Sequence, residues 1–267
     1  MSSLADIPSD AQCRRIIRGL TGSNYCSQGH KVIWRAGRSY GWCSVCRQKV
    51  YPYGHSFLYG SKLSPRQLFC LLWHWQRRSS PGTVMASLGL EYPTIRRWYA
   101  RFREQLPPDD TTRLTGVVEV DEAYFGRKRH GHQVIVMGAI ERFPNPHTGK
   151  RRLKLQLIPD TEQDSLESFL EKYVERSCLV ATDCHMGYNG IEWLGYTHER
   201  WNHSAGHFAG TNHIEQNWSA MKRYLRKLYG NIPTKHIQSI LNEWVARHNQ
   251  PELFESPEEY LGRVVLD

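Results

Sequence analysis

Two short apolar runs that each end in an aspartate constrain the fold of this chain more than any other feature. The runs are Gly116–Asp121 and Cys178–Asp183, and their length and composition predict buried β-strands. If the strands are neighbours, the two carboxylates lie side by side at one edge of a sheet. Carboxylates a few ångströms apart repel each other, and divalent cations relieve that repulsion. An aspartate at a strand end also commonly begins a turn, so a metal site and a plain turn both stay open.

The segments around these runs predict an α/β domain with a mixed central sheet over residues 112–267. Two further strands are expected at His132–Ile140 and Leu153–Ile158, with a hairpin turn between them. A segment with apolar residues at helical spacing comes next, and later helices are expected from about Thr211 to Tyr229 and from Pro233 to Arg247. The predicted order is therefore three strands, a helix, a strand and then helices.

The helix predicted from Thr211 places an acid on the same face as basic side chains. Its buried stripe consists of Ile214, Trp218, Met221, Leu225 and Leu228. Lys222 and Arg226 follow Glu215 at offsets of seven and eleven residues, so the three share one helix face. This arrangement suits a metal ligand beside a phosphate backbone. Intrahelical ion pairs on a solvated face are the alternative interpretation.

The N-terminal residues 10–60 have the composition of a small module that a metal holds together. They are rich in Cys, His, Gly and Tyr and bury too little core to fold alone. We expect no secretory signal, and the odd number of seven cysteines then favours metal binding over a disulfide framework. The candidate zinc ligands are Cys26, His30, Cys43 and Cys46, with Cys13 as a competitor for the place of His30. A zinc-ribbon-like module is therefore predicted.

Residues 61–108 predict three short helices, of which the third is rich in arginine. The first can begin at Ser64 and the second at Pro81, Gly89 marks a turn, and Pro93 opens the third. The arginines that this third helix leaves available are Arg96, Arg97, Arg101 and Arg103. The order is typical of a helix-turn-helix DNA reader. An ordinary three-helix bundle with solvated arginines is the alternative.

The charge of the chain favours a polyanionic partner. Lys and Arg number 35 against 26 Asp and Glu, which gives a formal charge of +9 and points to nucleic acid. A membrane-surface protein would need a basic amphipathic helix or a lipidation signal, and neither stands out. We therefore expect an intracellular, DNA-associated protein with no membrane partner. Its location would be nuclear in a eukaryote and the cytoplasm or nucleoid in a bacterium.

Four segments taken together resemble a known family. They are VVEVDEAYFGRK at 117–128, LVATDCHMGY at 179–188, TNHIEQNWSAMKRYLR at 211–226 and NEWVARHNQ at 242–250. The set is similar to the Merlin superfamily of cut-and-paste DNA transposases and their bacterial insertion-sequence relatives. The resemblance covers about residues 20–260 and implies an RNase H-like catalytic domain, preceded by the zinc-binding module and the helix-turn-helix.

The resemblance also implies a DDE triad of metal-binding catalytic acids, which are Asp121, Asp183 and Glu215. Sixty-one residues separate the first two acids and 31 separate the last two, and the second gap is somewhat short for the family. The adjacent Glu122 is expected to point to the opposite face of its strand. The family generally has two CxxC pairs in the zinc module, so this sequence departs from the pattern at His30.

The cofactors that the resemblance implies are Mg²⁺ or Mn²⁺ at the acids and Zn²⁺ at the N-terminal module. The implied partners are double-stranded DNA, as transposon terminal inverted repeats and target DNA, and a second copy of the chain or more on that DNA. The residues expected to contact DNA are Arg96, Arg97, Arg101, Lys222, Arg223 and Arg226.

Three functions are compatible with these features. The first is a transposase that cleaves DNA and joins 3′ ends to a target by two-metal-ion phosphoryl transfer. The second is a nuclease or host-adopted derivative that cleaves without joining. The third is a catalytically idle DNA-binding regulator, which the presence of all three acids disfavours. His203 and His207 either approach the site or are polar loop residues.

Overall fold

The computed structural model describes residues 3–35, 37–53, 56–126, 133–146, 149–201, 211–230 and 234–265. The chain forms two compact units, of which the first consists of Met1–Pro107 together with Pro251–Asp267 and the second is Pro108–Gln250. The C-terminal segment thus clusters with the first unit, whereas the sequence pattern predicts one domain over residues 112–267. Among the described residues, no helix is both long and apolar enough to span a membrane.

The N-terminal part of the first unit contains, within the described residues, four α-helices and a small antiparallel sheet. The helices are α1 (Asp10–Leu20), α2 (Pro65–Gln76), α3 (Pro81–Leu88) and α4 (Tyr92–Glu104). The sheet has the order β1 (Ile33–Trp34), β2 (Gly41–Cys43), β3 (Gln48–Val50). Ser64 caps α2, and Gly89 ends α3 in the left-handed conformation at φ 63°. The three helices predicted over residues 61–108 are present, and their use as a DNA reader stays a prediction.

The described part of the second unit is built on a five-stranded mixed sheet. Its strands are β4 (Val117–Phe125), β5 (Val134–Glu141), β6 (Leu153–Ile158), β7 (Leu179–Thr182) and β8 (Thr197–Arg200). The order across the sheet is β6-β5-β4-β7-β8. β5 is antiparallel to both neighbours, whereas β4, β7 and β8 are parallel. The predicted mixed sheet is therefore confirmed, and β8 is a strand that the sequence pattern did not predict.

In the described part of this unit, three α-helices pack against the sheet. They are α5 (Gln163–Tyr173), α6 (Asn212–Tyr229) and α7 (Ile237–Asn249). Side chains of β4 alternate between the two faces, so that Val120 packs with α5 and Phe125 packs with α6 and α7. β4 continues for four residues beyond Asp121, its predicted end. The alternation directs Asp121 towards the α6 side and Glu122 towards the α5 side.

The last helix, α8 (Pro257–Val264), completes the core of the first unit. The Tyr260 hydroxyl donates a hydrogen bond to the Phe102 carbonyl oxygen at 2.6 Å, and its ring packs against Trp75 with centroids 5.4 Å apart. The Gln76 amide donates to the carbonyl oxygens of Leu253 and Ser256. These buried contacts explain why the C-terminal segment belongs to the first unit.

Candidate functional site

A tryptophan holds Asp121 on the α6 side of the sheet. The indole Nε1 of Trp218 donates a hydrogen bond to Asp121 Oδ2 at 3.0 Å. Gly138 lies opposite Asp121 in the β4–β5 register, and a Cβ atom added there would come within 2.6 Å of the Trp218 ring. The glycine therefore leaves the space that the indole needs to reach the carboxylate. Trp218 and Gly138 together fix the position of the first predicted acid.

Asp183 comes directly after β7, the parallel neighbour of β4. The register pairs Glu119 with Ala181, and two residues further along each chain this alignment brings Asp183 level with Asp121. Asp183 Oδ1 also accepts a hydrogen bond from the backbone N–H of His185 at 2.9 Å, as an aspartate at the start of a turn does. The predicted juxtaposition of the two aspartates on neighbouring strands is therefore present in the topology.

Glu215 lies in the first turn of α6. The Thr211 hydroxyl donates a hydrogen bond to Glu215 Oε1 at 2.8 Å. Glu215 also lines an open groove of about 490 Å³ along α6, together with Asn212, Gln216, Ser219, Ala220 and Arg223. The third predicted acid is thus open to solvent on one side and held by a hydroxyl on the other. His203 and His207 lie outside the described residues.

Asp121 is in a buried and negatively charged environment. Burial is the largest cause that raises the pKa of Asp121 to about 7. The negative charges of Glu122, Asp183 and Glu215 act in the same direction. Among the described residues, the cysteine cluster described below is the group whose candidate ligand atoms all lie within 4.8 Å of one another. The carboxylate oxygens of the three acids are spaced more widely than that. Acidic oxygens that repel one another fit a divalent cation such as Mg²⁺ or Mn²⁺, because the cation removes the repulsion.

The raised pKa of Asp121 predicts a pH-dependent stabilisation by Mg²⁺. A carboxyl whose pKa is raised in the folded state stabilises the fold at low pH, and that contribution is lost as pH rises through about 7. Mg²⁺ competes with the proton, so the metal should raise the melting temperature more at about pH 8 than at about pH 6. Thermal unfolding with and without Mg²⁺ measures this, and Asp121→Asn should remove most of the difference. An equal Mg²⁺ effect at both pH values would contradict the assignment.

Glu119 is a residue of this site that the sequence pattern did not single out. Its side chain is fully buried and accepts hydrogen bonds from the backbone N–H groups of His213, at 2.7 Å, and Ile214, at 3.3 Å. It also accepts from Nε of Arg142 at 3.1 Å. Glu119 therefore ties the first turn of α6, which carries Glu215, to the strand that carries Asp121. The sequence feature that could have identified Glu119 is its position as an acid inside the apolar run VVEVD, two residues before Asp121.

Glu122 lies on the α5 side of the sheet, as the alternation of the strand predicts. The Tyr188 hydroxyl donates a hydrogen bond to Glu122 Oε1 at 2.6 Å. Burial raises the pKa of Glu122, and the Asp183 charge adds to the shift while the Tyr188 hydrogen bond opposes it. The side chain of Glu122 therefore has its own partner on the face away from Trp218 and Glu215.

The basic side chains of α6 differ in their surroundings. The Nζ atom of Lys222 lies 5.5 Å from the centre of the Phe125 ring, over the end of β4. Arg223 lines the groove with Glu215, and Arg226 is exposed in the last turn. All three remain candidates for contact with DNA.

The arginines of α4 are not equivalent either, and the expectation that Arg103 is available is wrong, because its side chain is buried. Arg97 is exposed, and Arg96 donates to the Tyr92 hydroxyl at 3.3 Å. Arg101 donates to the carbonyl oxygens of Phe57 and Tyr59, and its guanidinium group lies over the Trp98 ring at 4.6 Å. The guanidinium group of Arg101 is therefore engaged in intramolecular contacts, and Arg97 is the most solvent-exposed arginine of the predicted DNA-reading helix.

The four predicted zinc ligands come together in the N-terminal module. The ligand atoms of Cys26, His30, Cys43 and Cys46 all lie within 4.8 Å of one another, and His30 Nδ1 is 3.2 Å from Cys46 Sγ. Cys13 is buried elsewhere, and its thiol donates to a backbone carbonyl oxygen at 3.3 Å. The cluster therefore contains His30 rather than Cys13. Three thiols and one imidazole are a donor set that fits tetrahedral Zn²⁺.

Purified protein is expected to contain about one tightly bound zinc per chain. Cys43→Ser should release the metal and lower the melting temperature of the first unit, because a structural site of this kind supplies folding energy. Elemental analysis of protein prepared without chelators measures the content. Cys13→Ser is the matched control and should keep its zinc, since Cys13 lies outside the cluster. Metal-free wild-type protein, or loss of zinc in the Cys13 variant alone, would contradict the assignment.

Comparison with known proteins gives two sequence matches. The model of the ISXO2-like transposase domain matches residues 113–249. An uncharacterized transposase-like protein of Haemophilus influenzae is 31% identical over 101 residues, which are 36% of this chain and 80% of that relative. The first match spans the sheet, α5, α6 and α7.

Comparison with solved structures gives more distant likenesses. The simian T-cell lymphotropic virus intasome in complex with PP2A regulatory subunit B56 gamma has a TM-score of 0.38 and 13% identity, covering 70% of this chain and 74% of that chain. The trimeric form of the HTLV-2 integrase catalytic core domain in complex with magnesium has a TM-score of 0.32 and 13% identity, covering 53% of this chain and 89% of that chain.

The sequence matches define the class of this protein, which is that of the transposases. In particular, the chain belongs to the family with an ISXO2-like transposase domain. The resemblance to insertion-sequence transposases is thereby confirmed, while membership of the Merlin superfamily stays a prediction.

Proposed function

We propose that this chain binds transposon ends, cleaves DNA and joins the 3′ ends to a target, with Asp121, Asp183 and Glu215 as the catalytic acids of an RNase H-like domain. The observation that carries the proposal is the β4–β7 register, which brings Asp183 level with Asp121, and the charges of Asp183 and Glu215 add to burial in raising the pKa of Asp121 to about 7. Membership of a transposase family supports it. The three acids come from β4, the end of β7 and the start of α6.

The acids would hold Mg²⁺ or Mn²⁺ through their oxygen atoms. When bound, these ions supply the Lewis acidity for in-line displacement at phosphorus, which serves both hydrolysis of a strand and its later joining. The protein's own part is to hold the ligands. Trp218 orients Asp121, Thr211 orients Glu215, and the loss of the proton from Asp121 near neutral pH makes its carboxylate available.

The remaining parts of the chain would bring DNA to these acids. Arg96 and Arg97 on α4, with Lys222, Arg223 and Arg226 on α6, offer positive charge to phosphate groups. The predicted helix-turn-helix would read the terminal repeats, and the zinc module would add contacts. Joining two ends in concert needs two active sites, so the DNA complex should contain at least two copies of the chain.

The first step of the direct test is a search for inverted repeats in the DNA on either side of the coding sequence. The test then uses purified protein, Mg²⁺ and a DNA fragment that ends in such repeats. Cleavage at the repeat ends followed by joining to a second DNA supports a transposase. Cleavage without joining would assign a nuclease or host-adopted derivative instead. Specific binding without cleavage, in protein that melts cooperatively and contains zinc, would assign a catalytically idle regulator. The measurement is product analysis on denaturing gels.

Lys222→Ala is expected to weaken DNA binding similarly for all sequences and to lower the salt slope by about one counterion. A lysine contact to phosphate is mainly electrostatic and reads no base. The matched control is Lys172→Ala, because Lys172 also lies over an aromatic ring, at 4.7 Å from Tyr173, but on α5. Binding titrations at several salt concentrations measure both. Identical behaviour of the two variants would leave Lys222 as an ordinary surface lysine.

A further inference from the structure

The small sheet of the zinc module has one face that the metal cluster uses and one that it does not. The inner face carries Cys43 and Val32, which pack with the other cysteines. On the outer face, Ile33 of β1 lies directly opposite Trp42 of β2. Both side chains are exposed, by 52% for Ile33 and 42% for Trp42. The outer face therefore presents large apolar surface to solvent.

This outer face forms a cavity of about 330 Å³, which is within the size range of small-ligand pockets. Its lining residues are Ile33, Arg35, Arg38, Tyr40 and Trp42. Tyr40 is flanked by cations, with Lys49 Nζ at 4.7 Å and the Arg38 guanidinium at 5.6 Å from its ring centre. The cavity thus combines two aromatic rings with two arginines, and Lys49 adds a third positive charge beside Tyr40. We refer to the five lining residues as the aromatic–arginine pocket.

The charge around the pocket has one sign. Between Asp10 and Glu91 the sequence contains twelve Lys and Arg residues and no Asp or Glu. The rest of the chain has 23 Lys and Arg against 26 Asp and Glu, so this segment accounts for the whole positive excess. A pocket in such a segment attracts anions and repels cations, and its aromatic rings favour an anion that can stack on them. Charge complementarity therefore selects a polyanion that also carries flat rings.

We infer that the aromatic–arginine pocket binds an unpaired nucleotide of single-stranded DNA. Trp42 offers a ring on which a base stacks, and Arg35 offers an exposed guanidinium group for a flanking phosphate. Arg38 is also exposed, and its guanidinium donates a hydrogen bond to the Tyr40 hydroxyl at 2.6 Å, which orients it beside the ring. A base inside a duplex has both faces covered by its neighbours, so the Trp42 ring can be covered only by a base that has left the stack. The site goes beyond the proposed cleavage reaction, because it requires neither the catalytic acids nor the Mg²⁺ or Mn²⁺ that they would hold.

The test compares binding of a labelled single-stranded oligonucleotide with that of the blunt duplex of the same sequence. Titrations by fluorescence anisotropy, without added Mg²⁺ and without chelators, use the full-length zinc-containing protein. Trp42→Ala should weaken single-strand binding about ten-fold or more, because stacking on an aromatic side chain contributes substantially per base. Trp42→Phe should retain most of the affinity. Arg35→Gln should reduce the single-strand salt slope by about 0.7.

The matched controls are exposed residues of the same module outside the pocket, namely Tyr25→Ala for the ring and Lys31→Gln for the charge. Both should bind like wild type. The zinc content of each variant shows whether its module keeps its fold. If Trp42→Ala loses zinc, the inference is tested by the affinity of Trp42→Phe and the salt slope of Arg35→Gln instead. The inference would be overturned if the pocket variants bound the single strand as tightly as the control variants do. It would also be overturned if the pocket variants lost as much affinity for the blunt duplex as for the single strand. Since cleavage is not measured, a protein that fails to cut DNA can still pass this test.

Discussion

Asp121→Asn is expected to abolish DNA strand cleavage while leaving DNA binding largely intact. Loss of a metal ligand removes several kcal/mol of transition-state stabilisation, which corresponds to at least about a thousand-fold in rate. The substitution removes the charge but keeps an oxygen that can accept the hydrogen bond of Trp218 Nε1. The fold should therefore persist. Asp183→Ala and Glu215→Ala should have the same effect on cleavage.

Glu122→Gln is the matched control for this prediction. It removes a neighbouring negative charge from the same strand, but its side chain faces Tyr188 on the α5 side, and a glutamine oxygen can still accept that hydroxyl. Cleavage should fall little. Cleavage assays in Mg²⁺ and binding titrations on the same protein preparations measure both quantities. Near wild-type cleavage by the Glu215 variant would remove Glu215 from the triad, and a larger loss in Glu122→Gln than in Asp121→Asn would reverse the roles of the two neighbours.

Glu119→Gln is expected to lower cleavage by about 10- to 100-fold, the usual effect of losing a residue that orients a metal ligand. Glu119 binds the backbone N–H groups at the start of α6 and the Arg142 side chain, so its charge fixes the turn from which Glu215 projects. Glutamine keeps one acceptor oxygen but not the charge. Glu119→Ala should instead destabilise the second unit by about 3–5 kcal/mol, because it leaves Arg142 without this partner and the helix start uncapped.

A second buried carboxylate of the same sheet provides the control. Glu141 is 2% exposed and pairs with Arg152, and it touches no residue of α6 in the described contacts. Glu141→Gln should therefore lower the melting temperature to a similar extent and leave cleavage per folded molecule near wild type. Equal loss of cleavage in the two variants would mean that Glu119 acts only through stability. Thermal unfolding and single-turnover cleavage measure the two effects separately.

The elements with strong local signals could be predicted from the sequence. The apolar runs before Asp121 and Asp183 form the neighbouring strands β4 and β7, and Ser64 and Gly89 lie at the helix ends that their chemistry favours. The sequence pattern did not predict β8, because Thr197–Arg200 is polar and lacks an apolar alternation. The pairing of β8 with β7 depends on the tertiary structure. Local propensity cannot reveal such a strand.

The parts of the candidate site that depend on distant residues could not be predicted. Glu119 meets the start of α6 across more than ninety positions of sequence, and nothing near it in the chain indicates that partner. Gly138 matters only because the Trp218 ring occupies the place of its side chain. Arg101 has the spacing of a solvated arginine, yet its guanidinium group binds carbonyl oxygens of Phe57 and Tyr59. Each of these roles is created by the folded structure.

The division of the chain into two units also determines how the units can be exchanged between genes. The second unit, Pro108–Gln250, interrupts the first, whose core needs α8 from beyond the interruption. A gene fusion with one junction near residue 108 would separate Tyr260 from Phe102 and leave the first unit without the rings of Phe254 and Tyr260 that pack against Trp75. Exchange of the second unit between genes therefore requires two junctions made together, as in the insertion of one domain into a loop of another.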